Sequence, residues 1–233
     1  MQTTLEIRYG EVLARLRAAE RAAGRAEGSV GLLAVGKTFP AEAILACAAL
    51  GQMRFGENYV QEAVAKMDRA AALGARGLEW RFIGPLQANK TRIVAERFDW
   101  VESVDRMRVA RRLSDQRPEG VPALNVCIEV NIDGEASKSG VAPEALMDAL
   151  DEVAALPRLR LRGLMAVPAP GAGPETYERM SALWREAKAR HPEMDTLSLG
   201  MSADIEAAVA AGSTEVRVGS AIFGSRDYSN KGA

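Results

Sequence analysis

In SVGLLAVGKTFPAEAILACAALG, residues 29–51, an apolar β-rich run stops at Gly36 and Lys37, and a helical pattern starts past Pro40. Proline suits the first turn of a helix, where its missing N–H would have no partner. The spacing therefore predicts strand, corner, helix, and this unit repeats. Strand-like runs follow at 52–58 (QMRFGEN), 78–84 (LEWRFIG), 100–104 (WVESV), 124–132 (LNVCIEVNI), 159–167 (LRLRGLMAV), 196–202 (TLSLGMS) and 215–224 (EVRVGSAIFG), with helical stretches between them. Alternating strands and helices imply parallel strands joined by crossovers, and eight such units close into a (β/α)8 TIM barrel. WVESV is the weakest strand, being short and half polar, and an open doubly wound sheet is the structural alternative. Ahead of the first strand, EVLARLRAAERAA at 11–23 spaces Val12, Leu13, Leu16, Ala19 and Ala23 as one face of an extra N-terminal helix.

The chain has 233 residues, 48% of them hydrophobic, which is ample for a buried core. Since α/β barrels commonly run to roughly 200–250 residues as one domain, residues 1–233 are expected to form a single domain. Thirty Lys plus Arg balance 31 Asp plus Glu, and aromatics make up 5%. With neither a basic field nor a stacking surface, nucleic acid is excluded as a partner. Arg158, Arg160 and Arg162 alternate with leucines and read as a solvated face. Cys47 and Cys127 lie in apolar runs and read as buried thiols. With His191 as the single histidine, no zinc set of four can be assembled from this chain, so no metal is expected. The opening residues carry no apolar signal core and no stretch is long enough to span a membrane. A cytoplasmic protein with no membrane contact is expected. PAPGAGPE at 168–175 reads as a strand-to-helix loop at the rim.

Gly31 through Thr38 formally match the P-loop pattern G-x-x-x-x-G-K-[ST]. A P-loop wraps phosphate with loop N–H groups at the start of a helix. Here the four variable residues, Leu32 to Val35, read as strand interior, and the helix begins only after Pro40. What remains is Lys37 at the carboxyl end of the first strand, the face on which barrels build active sites. A partly desolvated lysine there can act as an amine nucleophile toward a carbonyl compound. The plainer alternative is a solvated lysine at a strand exit.

Barrels often bind phosphate with the loops after strands seven and eight. Ser202 stands at the expected N-cap of the helix after strand seven, where its hydroxyl either caps the helix or meets an anion. After strand eight, Gly219 lets the Val-Gly-Ser corner bring backbone N–H groups close to a ligand, or else only eases packing. Arg217 alternates with Val216 and Val218, which directs it into the barrel mouth. An amine at one end and an anion site at the other suit a phosphorylated aldehyde such as pyridoxal 5′-phosphate.

The stretches LLAVGKTFP, RFGENYVQE, EWRFIGPLQANK, LRGLMAVPAP, LSLGMSADIEAAVAAGST and VRVGSAIFGSRDY resemble the pyridoxal phosphate homeostasis protein family, also called the YggS/PROSC family, from about residue 30 to 228. The family is similar in fold to the N-terminal barrel of alanine racemase and of other fold type III pyridoxal phosphate proteins. The resemblance implies that Lys37 holds pyridoxal 5′-phosphate as a Schiff base and that Asn58 lies near the ring or its lysine. Without the family, Asn58 reads as a turn residue. By the same resemblance Ser202, Gly219 and Ser220 hold the phosphate, and Arg217 contacts the pyridine nitrogen. Many relatives carry Thr at the position of Ser220, a change that keeps the hydroxyl. DGEASKSG at 133–140 matches a family loop. Its Ser137, Lys138 and Ser139 are candidates to meet a phosphate at the mouth, and a solvated loop is the other reading.

Catalysis with this cofactor normally needs an acid or base at the substrate carbon besides the cofactor lysine. As the resemblance implies, the racemase takes that group from a tyrosine on an additional β domain, for which this chain leaves no room. Of Tyr9, Tyr59, Tyr177 and Tyr228, none falls in a segment matching the racemase base, although Tyr59 lies near strand two. His191, before Pro192, reads as structural or solvated. An arginine at the ring nitrogen disfavours its protonation and weakens the ring as an electron sink. The expectation is a pyridoxal phosphate carrier in vitamin B6 homeostasis, with no catalytic residues of its own and with pyridoxal phosphate-dependent apoenzymes as recipients. A small amino-acid racemase is the runner-up, and a pure protein-interaction module is a third class. The absence of the racemase's dimer-building β domain favours a monomer.

Overall fold

The computed structural model describes residues 2–135 and 138–225; Ser137 and Tyr228 lie outside the described residues. The eight parallel strands are β1 (Gly31–Val35), β2 (Arg54–Glu57), β3 (Glu79–Phe82), β4 (Trp100–Val104), β5 (Leu124–Val130), β6 (Leu159–Ala166), β7 (Thr196–Ser198) and β8 (Glu215–Val218). They are hydrogen-bonded in chain order, and β8 pairs with β1 to close the barrel. That closing pair, with Gly31 opposite Glu215 and Ala34 opposite Val218, rules out an open sheet. Helices α1 (Thr4–Ala22), α2 (Ala41–Ala48), α3 (Val60–Ala72), α4 (Thr91–Arg97), α5 (Met107–Gln116), α6 (Leu146–Ala154), α7 (Pro174–Arg190), α8 (Ile205–Ala210) and α9 (Ser220–Phe223) accompany the strands. Among the described residues, no helix is long and apolar enough to cross a membrane.

Strand side chains alternate between faces, and the barrel uses both. Val126 and Ile128 of β5 join the large apolar core under the helices, whereas Cys127 between them packs with Trp100 and Met165 in a separate small cluster. Leu33, opposite Arg217 in the β1–β8 pairing, is buried outside both clusters, and polar side chains make up much of the remaining interior. The Arg81 Nη1 donates to Glu102 Oε1 and Glu215 Oε1, both at 3.0 Å, while its guanidinium lies 3.8 Å from the Trp100 ring centroid. The Ser198 hydroxyl donates to Glu102 Oε2 at 2.6 Å and accepts from Arg217 Nη1 at 2.7 Å. The second Arg217 arm, Nη2, donates to the Ala166 carbonyl at 2.8 Å. These contacts explain WVESV: all five residues of β4 are buried because Glu102 is an interior ion-pair partner and the Ser103 hydroxyl donates to the Gly84 carbonyl.

Two boundaries and one solvated face differ from the sequence reading. The first helix starts at Thr4 rather than near residue 11, because Thr3 and Glu6 form a capping box in which the Thr3 Oγ1 accepts the Glu6 N–H at 3.2 Å. Tyr9, Val12, Leu16 and Ala19 are its buried apolar stripe. The strand expected at 215–224 stops at Val218, since Gly219 (φ −116°, ψ −82°) turns the chain into α9. The basic run around β6 is solvated only at Arg160. Arg158 donates to the Ser114 carbonyl, and Arg162 lies over Trp100 while bonding Asp195 and Asn125. Cys47 and Cys127 are free, buried thiols.

Removing the cation at the centre of the interior network leaves two buried carboxyls without their partner. Arg81→Met is expected to lower the unfolding free energy by about 3–5 kcal/mol, read from urea denaturation; a loss below about 1 kcal/mol contradicts the network's role. A second expectation concerns pH. Burial, then the adjacent Glu102 charge, pushes Glu215 up to about 8, and burial raises Glu57 and Glu129 to about 7. Carboxyls whose folded pKa is raised hold protons that the unfolded chain has already released, so stability falls as pH climbs from near the ordinary carboxylate value toward 7–8. Glu215→Gln should flatten part of that fall; an unchanged pH–stability slope would contradict the assignment.

Candidate functional site

The first corner of the mouth is built by residues that follow β1. Val35 ends the strand, Gly36 to Thr38 form a turn, and Pro40 takes the N-cap position of α2. Leu32 to Val35 are buried strand, so the formal P-loop match is a β-strand and not a phosphate cradle. Gly36 is required sterically: a Cβ there would stand 2.4 Å from Ile44 Cδ1 and 2.8 Å from Glu57 Oε1. Thr38 adopts φ +70°, a left-handed conformation unusual for a β-branched residue. Lys37, between them, is half-buried and lines a cavity at the carboxyl ends of the strands.

That cavity has a volume of about 390 Å³ and is lined by Lys37, Asn58, Ser202, Arg217, Gly219 and Ser220, together with apolar Val35, Ile83, Val167 and Met201. The six residues that the resemblance assigns to the cofactor therefore meet in one place, while Lys138 and Ser139 do not line it. They come from the ends of β1, β2, β7 and β8, the face on which barrels place their chemistry. Arg217 is buried and aimed by its bonds to Ser198 and the Ala166 carbonyl. The Asn58 backbone packs so closely on Gly84 that a Cβ at Gly84 would lie 2.4 Å from the Asn58 carbonyl oxygen, and the buried Asn58 Oδ1 has no protein partner. At the opposite edge Gly219 approaches β1, where a Cβ would lie 3.1 Å from the Val35 carbonyl oxygen. The next residues open α9, and the first N–H groups of a helix lack partners within it. Lys37 and Arg217 bring two cationic side chains to the lining and no carboxylate accompanies them among the described lining residues, an electrostatic bias toward an anionic ligand.

Two wider or equal spaces lie elsewhere. A cleft of about 650 Å³ between α7 and α8 is lined by Tyr177, Arg185 and several alanines on the outside of the barrel. A polar cavity of about 390 Å³ at the opposite mouth is lined by Arg54, Glu79, Arg81, Arg162 and Glu215, whose charges are already paired with one another or with Asp195. Neither contains the convergence seen around Lys37.

Some expected roles change. Ser202 is not the N-cap of α8: Asp204 holds that position, and the Ser202 carbonyl accepts from Arg15 Nη1 at 2.5 Å. The Met201 N–H donates to Asp204 Oδ1, a turn that shifts the helix start two residues along. Lys138 forms ion pairs with Asp133 at 2.7 Å and Glu135 at 3.1 Å, inside its own loop, and Asp133 also accepts the Ala169 N–H of the loop after β6. Tyr59 is exposed and lines a neighbouring cavity with Asn58, Phe82 and Lys90 rather than the Lys37 cavity. The Tyr9 hydroxyl bonds Gln52 and the Tyr177 hydroxyl bonds Asp204. His191 closes α7, with its Nε2 3.0 Å from Asp151 Oδ1, a structural placement.

Sequence reasoning missed two sets of polar residues near the mouth. Lys66 of α3, buried, reaches the Gly36 carbonyl, Glu57 and Glu62. On the other side, Val104 of β4 pairs with Ile128 of β5, which sets Asp105 beside Glu129 one residue further on. Burial first, then the Asp105 charge, raises Glu129 to about 7. The local signal for the first set was present in GENYVQEAVAK, where Glu62 and Lys66 are four apart on one helix face.

The model of the alanine racemase N-terminal domain matches residues 9–227. The pyridoxal phosphate homeostasis protein of Escherichia coli strain K12 is 54% identical over 225 residues, covering 95% of this chain and 96% of the relative. That of Pseudomonas aeruginosa is 52% identical over 227 residues, with 97% of each covered. Among solved structures, PipY of Synechococcus elongatus with PLP bound has a TM-score of 0.76 at 35% identity, covering 91% of this chain and all of PipY. With identity of this order spread across the barrel, the chain belongs to the pyridoxal phosphate homeostasis protein family, built on the barrel of the alanine racemase N-terminal domain.

Proposed function

We propose that the chain, as one barrel domain spanning residues 1–233, binds pyridoxal 5′-phosphate covalently through Lys37 and serves the intracellular homeostasis of that cofactor. The observation that carries this reading is the convergence of Lys37, Asn58, Ser202, Arg217, Gly219 and Ser220 on one cavity of about 390 Å³. Relatives that share half of its sequence are named for pyridoxal phosphate homeostasis, and PipY has been solved with PLP bound.

The residues fit the ligand by class. The cofactor, when bound, supplies an aldehyde that condenses with a primary amine. Lys37 offers that amine, and Ser202, Gly219 and Ser220 offer hydroxyl and backbone donors to the phosphate. Arg217, permanently charged and fixed by Ser198 and Ala166, takes the ring nitrogen and keeps it unprotonated. The orphaned Asn58 Oδ1 supplies an acceptor beside the ring. A carrier rather than an enzyme is supported by the lining: among its described residues, Lys37 is the single side chain suited to proton transfer, and no tyrosine, histidine or carboxylate stands opposite it. The recipients on this reading are cytoplasmic apoenzymes that use the same cofactor.

Wild-type protein with added pyridoxal 5′-phosphate should develop a visible absorption band that borohydride bleaches, with the added mass mapping to Lys37. Lys37→Ala should lose the band and the adduct while keeping its thermal midpoint. An adduct mapped to another lysine, or an undiminished band in Lys37→Ala, would overturn the assignment. Sustained turnover of an amino acid, lost in Lys37→Ala, would replace the carrier with an enzyme.

A further inference from the structure

The Lys37 corner is tied to α3 by a set of charged residues that cofactor binding itself does not call for. Lys66, its side chain 3% exposed, donates to the Gly36 carbonyl at 2.7 Å, to Glu57 Oε1 at 2.6 Å and to Glu62 Oε1 at 3.1 Å. The same Glu62 oxygen accepts the Thr38 N–H at 2.5 Å. The Gly36 carbonyl belongs to the peptide group before Lys37, and the Thr38 N–H belongs to the peptide group after it. Peptide groups are planar, so fixing one atom of each restrains the backbone on both sides of the Lys37 Cα.

The surroundings show that this posture is imposed. Thr38 is held at φ +70°, and strain of that kind persists only where neighbouring contacts over-determine it. Gly36 sits so near Glu57 and Ile44 that any Cβ would collide with both. Stability alone does not ask for this arrangement, because a buried ion pair gains little over an apolar replacement of the same shape. What the ion pair adds here is direction: its bonds end on the two peptides that carry Lys37.

We infer that Glu62 and Lys66 are positioning residues for Lys37, fixing the backbone from which its amine enters the cavity and so the speed with which it captures an aldehyde. The inference rests on the cofactor reading above and assigns the α3 pair to its covalent step. That step joins the lysine nitrogen to the aldehyde carbon with loss of water, and no oxidant or reductant is involved.

Glu62, with a side chain 34% exposed, can be replaced without emptying the core. Glu62→Ala is expected to slow the growth of the visible band and of borohydride-trapped mass on Lys37 by roughly ten-fold, the scale of one charge-assisted hydrogen bond. Its affinity for pyridoxamine 5′-phosphate, which has no aldehyde, should not change. Glu62→Gln keeps an oxygen for the Thr38 N–H and should recover part of the rate. Lys66→Met combined with Glu57→Gln, which strands no fully buried charge because Glu62 keeps its contact with solvent, should show the same selective loss. Equal capture rates in wild type and Glu62→Ala overturn this inference and leave the cofactor reading intact. Matching losses for both probes overturn it as well, because they mark a general defect of the cavity. Wild type that captures no aldehyde removes the cofactor reading and this inference with it.

Discussion

A chain of charge-assisted contacts inside the barrel links its two mouths: Arg81 to Glu102, Glu102 to the Ser198 hydroxyl, Ser198 to Arg217, and Arg217 to the Ala166 carbonyl. Each member belongs to a different strand, so the chain joins β3, β4, β7, β8 and β6. Charges placed in a water-poor interior must find partners or lose their charge. Glu102, flanked by Arg81 and Arg217, is held below the ordinary carboxylate range despite its burial, while Glu215 beside it is raised. A one-residue slip of any of these strands would send its polar partner to the opposite face. The interior network thus constrains register, and its upper end delivers Arg217 to the cavity.

The cavity inherits its geometry from that constraint. Because β8 pairs with β1, with Ala34 opposite Val218, the corner that carries Lys37 and the turn at Gly219 leave the barrel side by side. Gly219 tolerates the approach of Val35 because it has no Cβ. Lys37, Arg217 and the Ser202, Gly219 and Ser220 corner consequently stand at the ends of neighbouring strands without any long loop to order them. Rigid elements hold such groups more accurately than mobile loops do. The left-handed Thr38, tied to Glu62, places local backbone strain next to Lys37 at the same cavity.

Much of this was legible in the chain, for reasons that vary by residue. The β-then-α alternation is a local pattern, and Pro40 showed that the helix begins too late for Lys37 to sit in a P-loop. Lys37, Ser202, Arg217 and Gly219 sit in compact motifs at strand ends, VGKT, GMS and VRVGS, where position points to the mouth, whereas Asn58 and Ser220 stood out only through the family resemblance. The polar β4 was hard to read because Glu102 needs Arg81 and Ser198, partners remote in sequence that only barrel closure brings together. Ser202 was placed at the cap because the turn from Met201 to Asp204, which moves the helix start, leaves no strong trace in residue types. Lys138 could have been read as paired, since Asp133 and Glu135 stand five and three residues before it. The role of Lys66 depended on knowing that α3 packs against the β1 corner.

A crystal structure of the protein soaked with pyridoxal 5′-phosphate would examine the whole arrangement at once. The account predicts density continuous with Lys37 Nζ, a phosphate against Ser202, Gly219 and Ser220, and Arg217 at the ring nitrogen. Density in the cleft between α7 and α8, in the Arg81 cavity at the other mouth, or attached to a different lysine would contradict it.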